Sequence, residues 1–431
     1  MRGKRFLIGL RAALAIFAVT LLVTSTWAST NWYEKVLHSF GNGTDGYMPS
    51  TSLIFDAAGN LYGTTQYGGG ANAYGTVFEL TPAGGGNWTE TVLYSFRSGT
   101  DGAVPGAGLI FDAAGSLYGT TTAGGPNNGT VFELTPTAGE GWTEQVLYRF
   151  CSQANCADGQ YPYGGLIFDA AGNLYGTTEF GGTNGYGTVF KLTPTAGGGW
   201  TETVLHSFGS GTDGASPFVG LIFDAAGNLY GTTTYGGTYG VGTVFELTPT
   251  AGGDWLETVL YSFGINGLSD GGYPWAGLIF DAAGNLYGTT FYGGTYNRGT
   301  VFELTPMSGG GWTETVLHSF NPNNGTDGFN PYAGLIFDAA GNLYGTAYYG
   351  GSYGGGTVFE LTPAAGGGWT ETVLRSFGNG TDGFWPYAGL IFDHAGNLYG
   401  TTEYGGTHNY GTVFELTPIY PCARCSHSVF P

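Results

Sequence analysis

The chain has 431 residues, of which 84 are Gly and 16% are aromatic, while only 10% are charged. A hydrophobic content of 42% argues against intrinsic disorder, and glycines without a three-residue period exclude a collagen helix. The formal net charge of −20 argues against nucleic acids and anionic membranes as partners.

The first 28 residues have the pattern of a secretory signal peptide. A basic segment from Met1 to Arg11 precedes a short apolar stretch over 12–23, and Thr26-Trp27-Ala28 supplies small residues for cleavage after Ala28. The apolar stretch is shorter than the roughly 20 residues that a membrane span requires. We therefore expect cleavage and export to the cell surface or the medium, with no membrane span in the remaining chain.

A tandem repeat fills the chain after this segment. The phrase Leu-Ile-Phe-Asp-x-Ala-Gly-Asn/Ser-Leu-Tyr-Gly-Thr occurs seven times, with a period of 55 to 57 residues. Its aspartates are Asp56, Asp112, Asp169, Asp224, Asp281, Asp338 and Asp393. Each copy predicts four strands, A to D, which in the fifth copy span 277–281, 286–290, 299–305 and 312–320.

Seven four-stranded units predict an all-β fold, a seven-bladed β-propeller over residues 29–418. Apolar residues fall on both faces of a strand, as in Val301-Phe302, which is typical of sheets stacked between other sheets. Residues 32–40 form a D segment with no preceding A, B or C, and the last copy has no D. We expect residues 32–40 to supply the outer strand of the last blade and close the ring.

The repeat resembles a known family. Gly-Leu-Ile-Phe-Asp-Ala-Ala-Gly-Asn-Leu-Tyr-Gly-Thr-Thr, followed by Gly-Thr-Val-Phe-Glu-Leu-Thr-Pro, is similar to the GloVer (Gloeo/Verruco) tandem repeat of "choice-of-anchor" exported bacterial proteins. A looser similarity links Asp281–Asn285 and Asp382–Pro386 to NHL-type propellers. The resemblance covers residues 32–418 and implies a secreted or surface repeat protein without an agreed activity. Because the 13 residues after Pro418 include no hydrophobic anchor, we expect release outside the cell.

Catalytic motifs are missing from the sequence. Four sets of repeated positions contain all but four of the 31 carboxylates, and the exceptions are Glu140, Glu179, Asp254 and Glu403. A catalytic acid–base pair needs two different environments, whereas sevenfold copies provide seven similar ones. His38, His206 and His318 share a strand-D position with tyrosines and an arginine, which indicates a solvent-facing position. We therefore expect a protein that is not an enzyme.

Metal and cysteine patterns are weak. Asn-Gly-Thr-Asp-Gly, which contains Asp45, Asp327 and Asp382, has oxygen ligands suited to Ca²⁺ but only one carboxylate, so no cofactor is expected. The spacing of the cysteines predicts two local disulfides, the second in a short tail over 419–431. Zinc at the second pair is the alternative, with only His427 nearby as a further ligand. The two predicted disulfides join Cys151 with Cys156 and Cys422 with Cys425.

Aromatic residues mark one face of the predicted disc. Because strand direction alternates, the B–C and D–A loops share that face. Aromatic residues that begin the B–C loops are Tyr67, Phe180, Tyr235, Tyr292, Tyr349 and Tyr404, and those in the D–A linkers are Tyr163, Phe218, Trp275, Tyr332 and Tyr387. Such rings beside carboxylates and hydroxyls suit the faces of sugars. The alternative is that these rings pack in the channel.

Three functional hypotheses follow. The first is a monomeric, secreted, non-catalytic binding module, with polysaccharide as the favoured ligand. The second is a structural or adhesive scaffold that binds a surface protein, and the third is a lyase or hydrolase with its site at the channel mouth. An enzyme should concentrate unusual polar residues in one or two copies, and copies two and three diverge most, through Ala123, Lys191 and the Cys151–Cys156 linker.

Overall fold

A computed structural model describes residues 31–71, 73–124, 128–139, 141–209 and 211–419. The predicted signal peptide lies outside these residues, and so does the predicted pair of Cys422 and Cys425. The described chain forms seven antiparallel sheets, each built on four strands in the order A-B-C-D, around a central channel. The predicted seven-bladed β-propeller is therefore confirmed.

The strands are named in chain order. The chain begins with β1 (Asn31–Ser39). Blade 1 contains β2 (Ile54–Phe55), β3 (Leu61–Thr65), β4 (Thr76–Pro82) and β5 (Trp88–Ser95). Blade 2 contains β6 (Ala103–Pro105), β7 (Ile110–Phe111), β8 (Leu117–Ala123), β9 (Thr130–Thr137) and β10 (Gly141–Arg149). Blade 3 contains β11 (Ile167–Phe168), β12 (Leu174–Thr178), β13 (Thr188–Pro194) and β14 (Trp200–Ser207). Blade 4 contains β15 (Ile222–Phe223), β16 (Leu229–Thr233), β17 (Thr243–Pro249) and β18 (Trp255–Ser262).

Blade 5 contains β19 (Ile279–Phe280), β20 (Leu286–Thr290), β21 (Thr300–Pro306) and β22 (Trp312–Ser319). Blade 6 contains β23 (Gly328–Phe329), β24 (Ile336–Phe337), β25 (Leu343–Ala347), β26 (Tyr349–Gly350), β27 (Thr357–Pro363) and β28 (Trp369–Ser376). Blade 7 contains β29 (Ile391–Phe392), β30 (Leu398–Thr402) and β31 (Thr412–Ile419). Two short 3₁₀ turns span Gly84–Gly86 and Ala154–Cys156.

The seventh sheet takes its outer strand from the start of the described chain. In this sheet β1 pairs antiparallel with β31, from Asn31 opposite Ile419 to Ser39 opposite Thr412. The strand order of the sheet is β1-β31-β30-β29, which matches the four-stranded order of the other blades. Residues from the two ends of the described chain therefore share one blade.

The repeated Phe-Asp-x-Ala-Gly-Asn phrase forms the A–B hairpin. In blade 5, one carboxylate oxygen of Asp281 accepts the backbone N–H groups of Ala283 and Asn285, both at 2.8 Å. Gly284 has φ of 87°, a left-handed conformation that glycine adopts without strain. The Tyr287 hydroxyl then donates to Asp281 and to Glu303 in β21. The phrase that recurs in every copy thus caps the turn and ties strands A, B and C together.

Aromatic packing joins each blade to the next. Phe263, at the end of the fourth blade's outer strand, packs edge-to-face on Phe302 of β21 with 5.1 Å between ring centroids, and both side chains are fully buried. Gly288 in β20 leaves the space that Phe302 fills, since a Cβ atom there would lie 2.7 Å from the ring. The same pair of phenylalanines recurs at every blade boundary, with centroids 4.9 to 5.3 Å apart. The hydrophobic core is therefore a ring of seven clusters between the blades.

Candidate functional site

One face of the disc collects the D–A linkers and the B–C loops. In each blade the linker pairs antiparallel with the start of the B–C loop, as in the bridge of Gly272 with Tyr292. Blade 6 extends this pairing into β23 and β26, where Phe329 lies opposite Tyr349. The two predicted sets of aromatic residues therefore lie on the same face.

Each linker turns sharply at its proline. The residue before the proline has a left-handed backbone, as in Tyr273 with φ of 56°. Pro274 then packs on Gly242 of the preceding blade, where a Cβ atom would lie 2.6 Å from the proline ring. This turn brings Trp275, the next residue, to the mouth of the central channel.

The residues that follow the linker prolines form an aromatic arc at that mouth. Tyr163 stacks on Phe218 at 4.5 Å, and Phe218 lies 5.5 Å from Trp275. The arc continues from Trp275 to Tyr332 at 4.9 Å and from Tyr332 to Tyr387 at 4.7 Å between ring centroids. All five predicted D–A aromatics are thus brought together, and all five are half-buried.

The arc is open on one side. Blades 1 and 2 have Ser50 and Gly106 at the position that is aromatic in the other five blades. The ring of Tyr163 leans toward the space above Gly106, since a Cβ atom there would lie 3.4 Å from it. Two small residues therefore leave a gap between the rings of Tyr163 and Tyr387.

The channel below the arc has a volume of about 380 Å³. Its lining includes one small residue from each blade: Ser52, Gly108, Gly165, Gly220, Gly277, Gly334 and Gly389. The space is tight at Gly220, where a Cβ atom would lie 3.0 Å from the Gly165 carbonyl oxygen. The regular A strand has two residues, fewer than the predicted five.

Two further aromatics lie between the arc and the outer part of the face, and neither was predicted from the sequence. Phe291 stacks on Trp275 at 5.2 Å, and Tyr348 lies 4.9 Å from Tyr332. The other blades have glutamine, threonine or glutamate at this position, so the repeat has no aromatic pattern there from which the two residues could be predicted. Each is followed by a residue of the B–C set, Tyr292 or Tyr349, and contacts it.

Two glutamates occupy that same position and are exceptions to the repeated carboxylate sets. Burial raises the pKa of Glu179 to about 7, and no described residue donates a hydrogen bond to its carboxylate. Glu403 is 9% exposed and accepts a 2.5 Å hydrogen bond from the Tyr348 hydroxyl. Burial raises the pKa of Glu403, and the Tyr348 hydrogen bond opposes that rise. Both carboxylates lie close enough to raise the pKa of the Tyr387 phenol, with burial the main cause.

The predicted B–C aromatics lie farther out. Phe180, Tyr235 and Tyr292 are 37%, 47% and 40% exposed, and the other members, Tyr67, Tyr349 and Tyr404, are half-buried. They pack on linker residues, as Tyr235 and Tyr292 do on either side of Tyr273. An additional exposed set at the B–C loop tips escaped the sequence analysis: Tyr74, Tyr186, Tyr239, Tyr296, Tyr353 and Tyr410. These tyrosines were not predicted because their sequence neighbourhood, Gly-flanked residues in a loop, does not distinguish them from ordinary loop residues.

The three linker aspartates of the calcium hypothesis are buried turn residues. Asp45 accepts the Gly41 N–H at 3.1 Å, and Asp382 accepts the Gly378 N–H at 3.1 Å. Asn42 and Thr44, the other oxygen ligands of the calcium hypothesis, have exposed side chains while Asp45 is buried. Asp327, the third candidate, accepts the Asn321 N–H at 2.7 Å.

The interpretation of the three strand-D histidines as solvent-facing is wrong. His38 and His206 each place Nε2 3.1 Å from the linker aspartates Asp45 and Asp213, and their side chains are only 19% exposed. His318 makes the same contact with Asp327 at 3.3 Å. The exchange among His, Tyr and Arg therefore preserves a partner for the linker carboxylate, since the Tyr261 hydroxyl donates to Asp270 at 2.9 Å in the same way.

A glutamate from the next blade faces each of these contacts. The seven are Glu34, Glu90, Glu144, Glu202, Glu257, Glu314 and Glu371, and in each one Oε1 is buried without a hydrogen-bond partner among the described residues. Burial raises the pKa of Glu202 to about 7 and of Glu314 to about 8. Each blade boundary thus contains a pair of carboxylates that are buried or half-buried.

The first cysteine pair is joined, and the second falls outside the described residues. Cys151 and Cys156 form a disulfide in the linker before blade 3, as the sequence predicts. The Cys156 carbonyl accepts the N–H of Gly182 at 2.9 Å and so ties this linker to the B–C loop of the same blade. The disulfide between Cys422 and Cys425 stays a prediction, because Cys425 and its partner both lie beyond residue 419, where the described chain ends.

In the part of the chain that the structure describes, no helix is long and apolar enough to cross a membrane.

These features define a tandem-repeat β-propeller with an aromatic channel mouth. The chain belongs to the family described as the Gloeobacter/Verrucomicrobia repeat, whose model matches residues 21–155, 147–321 and 220–423. The resemblance on which the sequence analysis relied is confirmed. No curated protein matches the sequence.

Solved structures share the fold. PorZ, a bacterial surface component of the type-IX secretion system of Porphyromonas gingivalis, is similar with a TM-score of 0.51 and 15% identity, covering 90% of this chain and 48% of PorZ. An ancestral GH74 enzyme is similar with a TM-score of 0.50 and 12% identity, covering 87% of this chain and 51% of that enzyme. The chain spans about half the length of these two proteins, and at such identities the likeness shows the fold alone.

Proposed function

We propose that this protein is an exported, non-catalytic binding module that holds an extracellular glycan at the aromatic mouth of its channel. The supporting observation is the arc of five rings from Tyr163 to Tyr387, which contact one another in chain order and stay half-buried. Sugar rings stack on such aromatic faces through their C–H surfaces. The gap at Ser50 and Gly106 leaves one side of the mouth free of large side chains.

The ligand we favour is a neutral polysaccharide. No lysine or arginine occurs among the described residues that line the channel. Glu179 and Glu403 offer carboxylate oxygens beside the aromatic arc, and carboxylates accept hydrogen bonds from sugar hydroxyls. An anionic polymer would instead meet two acidic groups with no cation to offset them.

Retardation in native gels that contain single polysaccharides tests this proposal. The purified protein is expected to be retarded by a neutral polysaccharide, and Tyr387→Ala is expected to lose that retardation. Tyr33→Ala is the matched control, because Tyr33 is 60% exposed on β1 and lies outside the channel lining. Thermal melting of both variants separates loss of binding from loss of folding.

Two results would count against the proposal. Retardation that survives in Tyr387→Ala would place the ligand elsewhere on the disc. Failure of every neutral polymer to retard the protein would favour the alternative of a structural or adhesive scaffold that binds a surface protein.

A hydrolytic role is the second candidate, and the two exceptional glutamates favour it. Glu179 has no described hydrogen-bond partner and Glu403 has one, so two carboxylates in different environments lie beside one channel mouth. Glycoside hydrolysis uses a pair of carboxyl groups with different pKa values. Measuring reducing ends after incubation with a retarded polymer decides between the candidates, because a binding module leaves the polymer intact.

A further inference from the structure

Each blade boundary brings together three side chains from separate segments. The first comes from strand D of one blade, the second is the linker aspartate that follows it, and the third is a glutamate from strand D of the next blade. At the boundary between blades 5 and 6 these residues are His318, Asp327 and Glu371. One nitrogen or oxygen atom from each lies within 4.8 Å of the other two, and no other group of three such residues meets this condition in the described chain.

Two buried carboxylate oxygens at this boundary have no hydrogen-bond partner among the described residues. His318 Nε2 lies 3.3 Å from Asp327 Oδ2, which also accepts the Asn321 N–H at 2.7 Å. Asp327 is 3% exposed, and its second oxygen, Oδ1, is buried without a hydrogen-bond partner among the described residues. Oε1 of Glu371 is buried and unpartnered in the same way. Unpaired buried carboxylate oxygens are costly unless a cation or a proton compensates them.

At the next boundary, between blades 6 and 7, a cationic side chain lies between the two equivalent carboxylates. There, Arg375 replaces the histidine, and its guanidinium contacts both Glu34 and Asp382, the equivalents of Glu371 and Asp327. The same cluster of positions thus accommodates a positive charge between its two carboxylates where one of the residues is basic. At the boundary of blades 5 and 6, the imidazole is the only potential cation among the three residues.

We propose that His318, Asp327 and Glu371 bind a divalent transition-metal ion of the zinc type. One imidazole nitrogen and two carboxylates are ligands that Zn²⁺ accepts, and water completes a four-coordinate site. Zinc bonds of about 2.0 to 2.1 Å in a tetrahedron separate two ligand atoms by about 3.4 Å. The His318–Asp327 distance of 3.3 Å already matches that separation. Ca²⁺ fits less well because it requires six to eight oxygen ligands.

Metal binding by the purified protein tests the assignment. A background with Cys422→Ser and Cys425→Ser removes a second set of zinc ligands from the sequence. After removal of metal with EDTA and gel filtration, calorimetric titration with ZnCl₂ gives the number of ions and their affinity. We expect each chain to bind one ion more than the His318→Tyr variant. CoCl₂ in place of zinc should give visible absorption bands of a four-coordinate site that His318→Tyr loses.

The sequence offers matched controls. Tyrosine occupies the histidine position at three other boundaries, at Tyr94, Tyr148 and Tyr261, so His318→Tyr copies a residue that this fold accepts. His206→Tyr makes the same change at a boundary where, among the described residues, three such atoms do not all lie within 4.8 Å of one another, and it should leave the binding unchanged. Glu371→Gln keeps the side-chain shape and is expected to weaken affinity by at least about tenfold.

Three results would overturn the proposal. The first is no zinc bound by the parent protein, and the second is equal zinc binding by the parent and both site variants. The third is Ca²⁺ displacing Zn²⁺ at equal concentration. Circular dichroism of each variant establishes that a loss of binding does not reflect unfolding. If His318→Tyr does not fold, zinc binding by Glu371→Gln decides the question.

Discussion

The guanidinium of Arg375 in β28 lies 3.2 Å from the carboxylate of Glu34 in β1. It also contacts Asp382 in the linker to blade 7. Because β1 is the outer strand of blade 7, Arg375 links blade 6 to the strand that comes from the start of the described chain. The side chains of Glu34 and Asp382 are 9% and 4% exposed, so both depend on this partner for charge compensation.

Removing the guanidinium should destabilise the protein, and tyrosine should restore part of the loss. Arg375→Ala leaves two buried carboxylates without a cation, and we expect a loss of about 2 to 3 kcal/mol in the free energy of unfolding. Arg375→Tyr supplies a hydroxyl for Asp382, as Tyr261 does for Asp270, so we expect a loss of about 1 kcal/mol. Urea unfolding of both variants measures the difference. Equal losses would show that the boundary does not depend on a partner for Asp382.

Because the glutamates at the blade boundaries have raised pKa values, we expect the protein to be more stable at mildly acidic pH than above pH 7. Burial, with the charge of Asp158 adding to it, raises the pKa of Glu202 from 4.5 to about 7. A group whose folded pKa exceeds its unfolded pKa favours folding while it is protonated, so this contribution is full below pH 4.5 and is lost as the pH rises to about 7. Asp169 and Asp281 have pKa values lowered by their turn hydrogen bonds, so their contribution is lost in more acidic solution.

Glu202→Gln isolates one of these contributions. We expect this variant to be more stable than the parent by about 1 kcal/mol at pH 8, a value reduced for partial exposure, and similar to it at about pH 4.5. Melting temperatures at the two pH values measure both effects. Asp254→Asn, which changes an exposed carboxylate, is the control and should shift neither value. A destabilised Glu202→Gln variant at pH 8 would contradict the argument.

The glycine in strand B should resist substitution where a surface glycine does not. In Gly288→Ala the new Cβ atom would lie 2.7 Å from Phe302, which is buried among neighbours that cannot move freely. We expect a loss of about 1 to 3 kcal/mol, as for other overpacked cores. Gly309→Ala adds a Cβ atom with nothing within 4 Å and should be neutral. Chemical unfolding of the two variants compares them, and a neutral Gly288→Ala would mean that the Phe302 ring has room to shift.

Patterns within one copy of the repeat predicted most of the fold. The Asp281–Asn285 hairpin and strand B from Leu286 to Thr290 match the structure because local turn chemistry determines both. Strand A was predicted to span 277–281, whereas the regular strand in blade 5 is Ile279–Phe280. Packing contacts between neighbouring copies cannot be predicted from a sequence pattern that repeats within each copy.

In the candidate site, too, the local features were predicted and the contacts between separate segments were not. The D–A aromatics were predicted to share a face with the B–C aromatics, yet only the structure shows that Trp275 lines the channel while Tyr292 lies outside it. The histidine positions were misjudged because their partner aspartates lie in the linker and their facing glutamates lie in the next blade. Glu179 and Glu403 stood out in the sequence only as exceptions to the repeated sets, with no indication that both lie beside the channel mouth.

The channel mouth should discriminate against charged polysaccharides, and the discrimination should depend on pH. Burial raises the pKa of Glu179 to about 7, so this carboxyl group is charged at pH 8 and largely protonated at pH 5. We expect an anionic polysaccharide to bind about threefold to tenfold more weakly than a neutral one at pH 8, with a smaller difference at pH 5. Glu179→Gln should reduce the difference at pH 8, whereas Asp254→Asn should not. Native gels with paired neutral and anionic polymers measure this ratio, and stronger retardation by the anionic polymer at pH 8 would exclude the carboxylates beside the arc as determinants of binding.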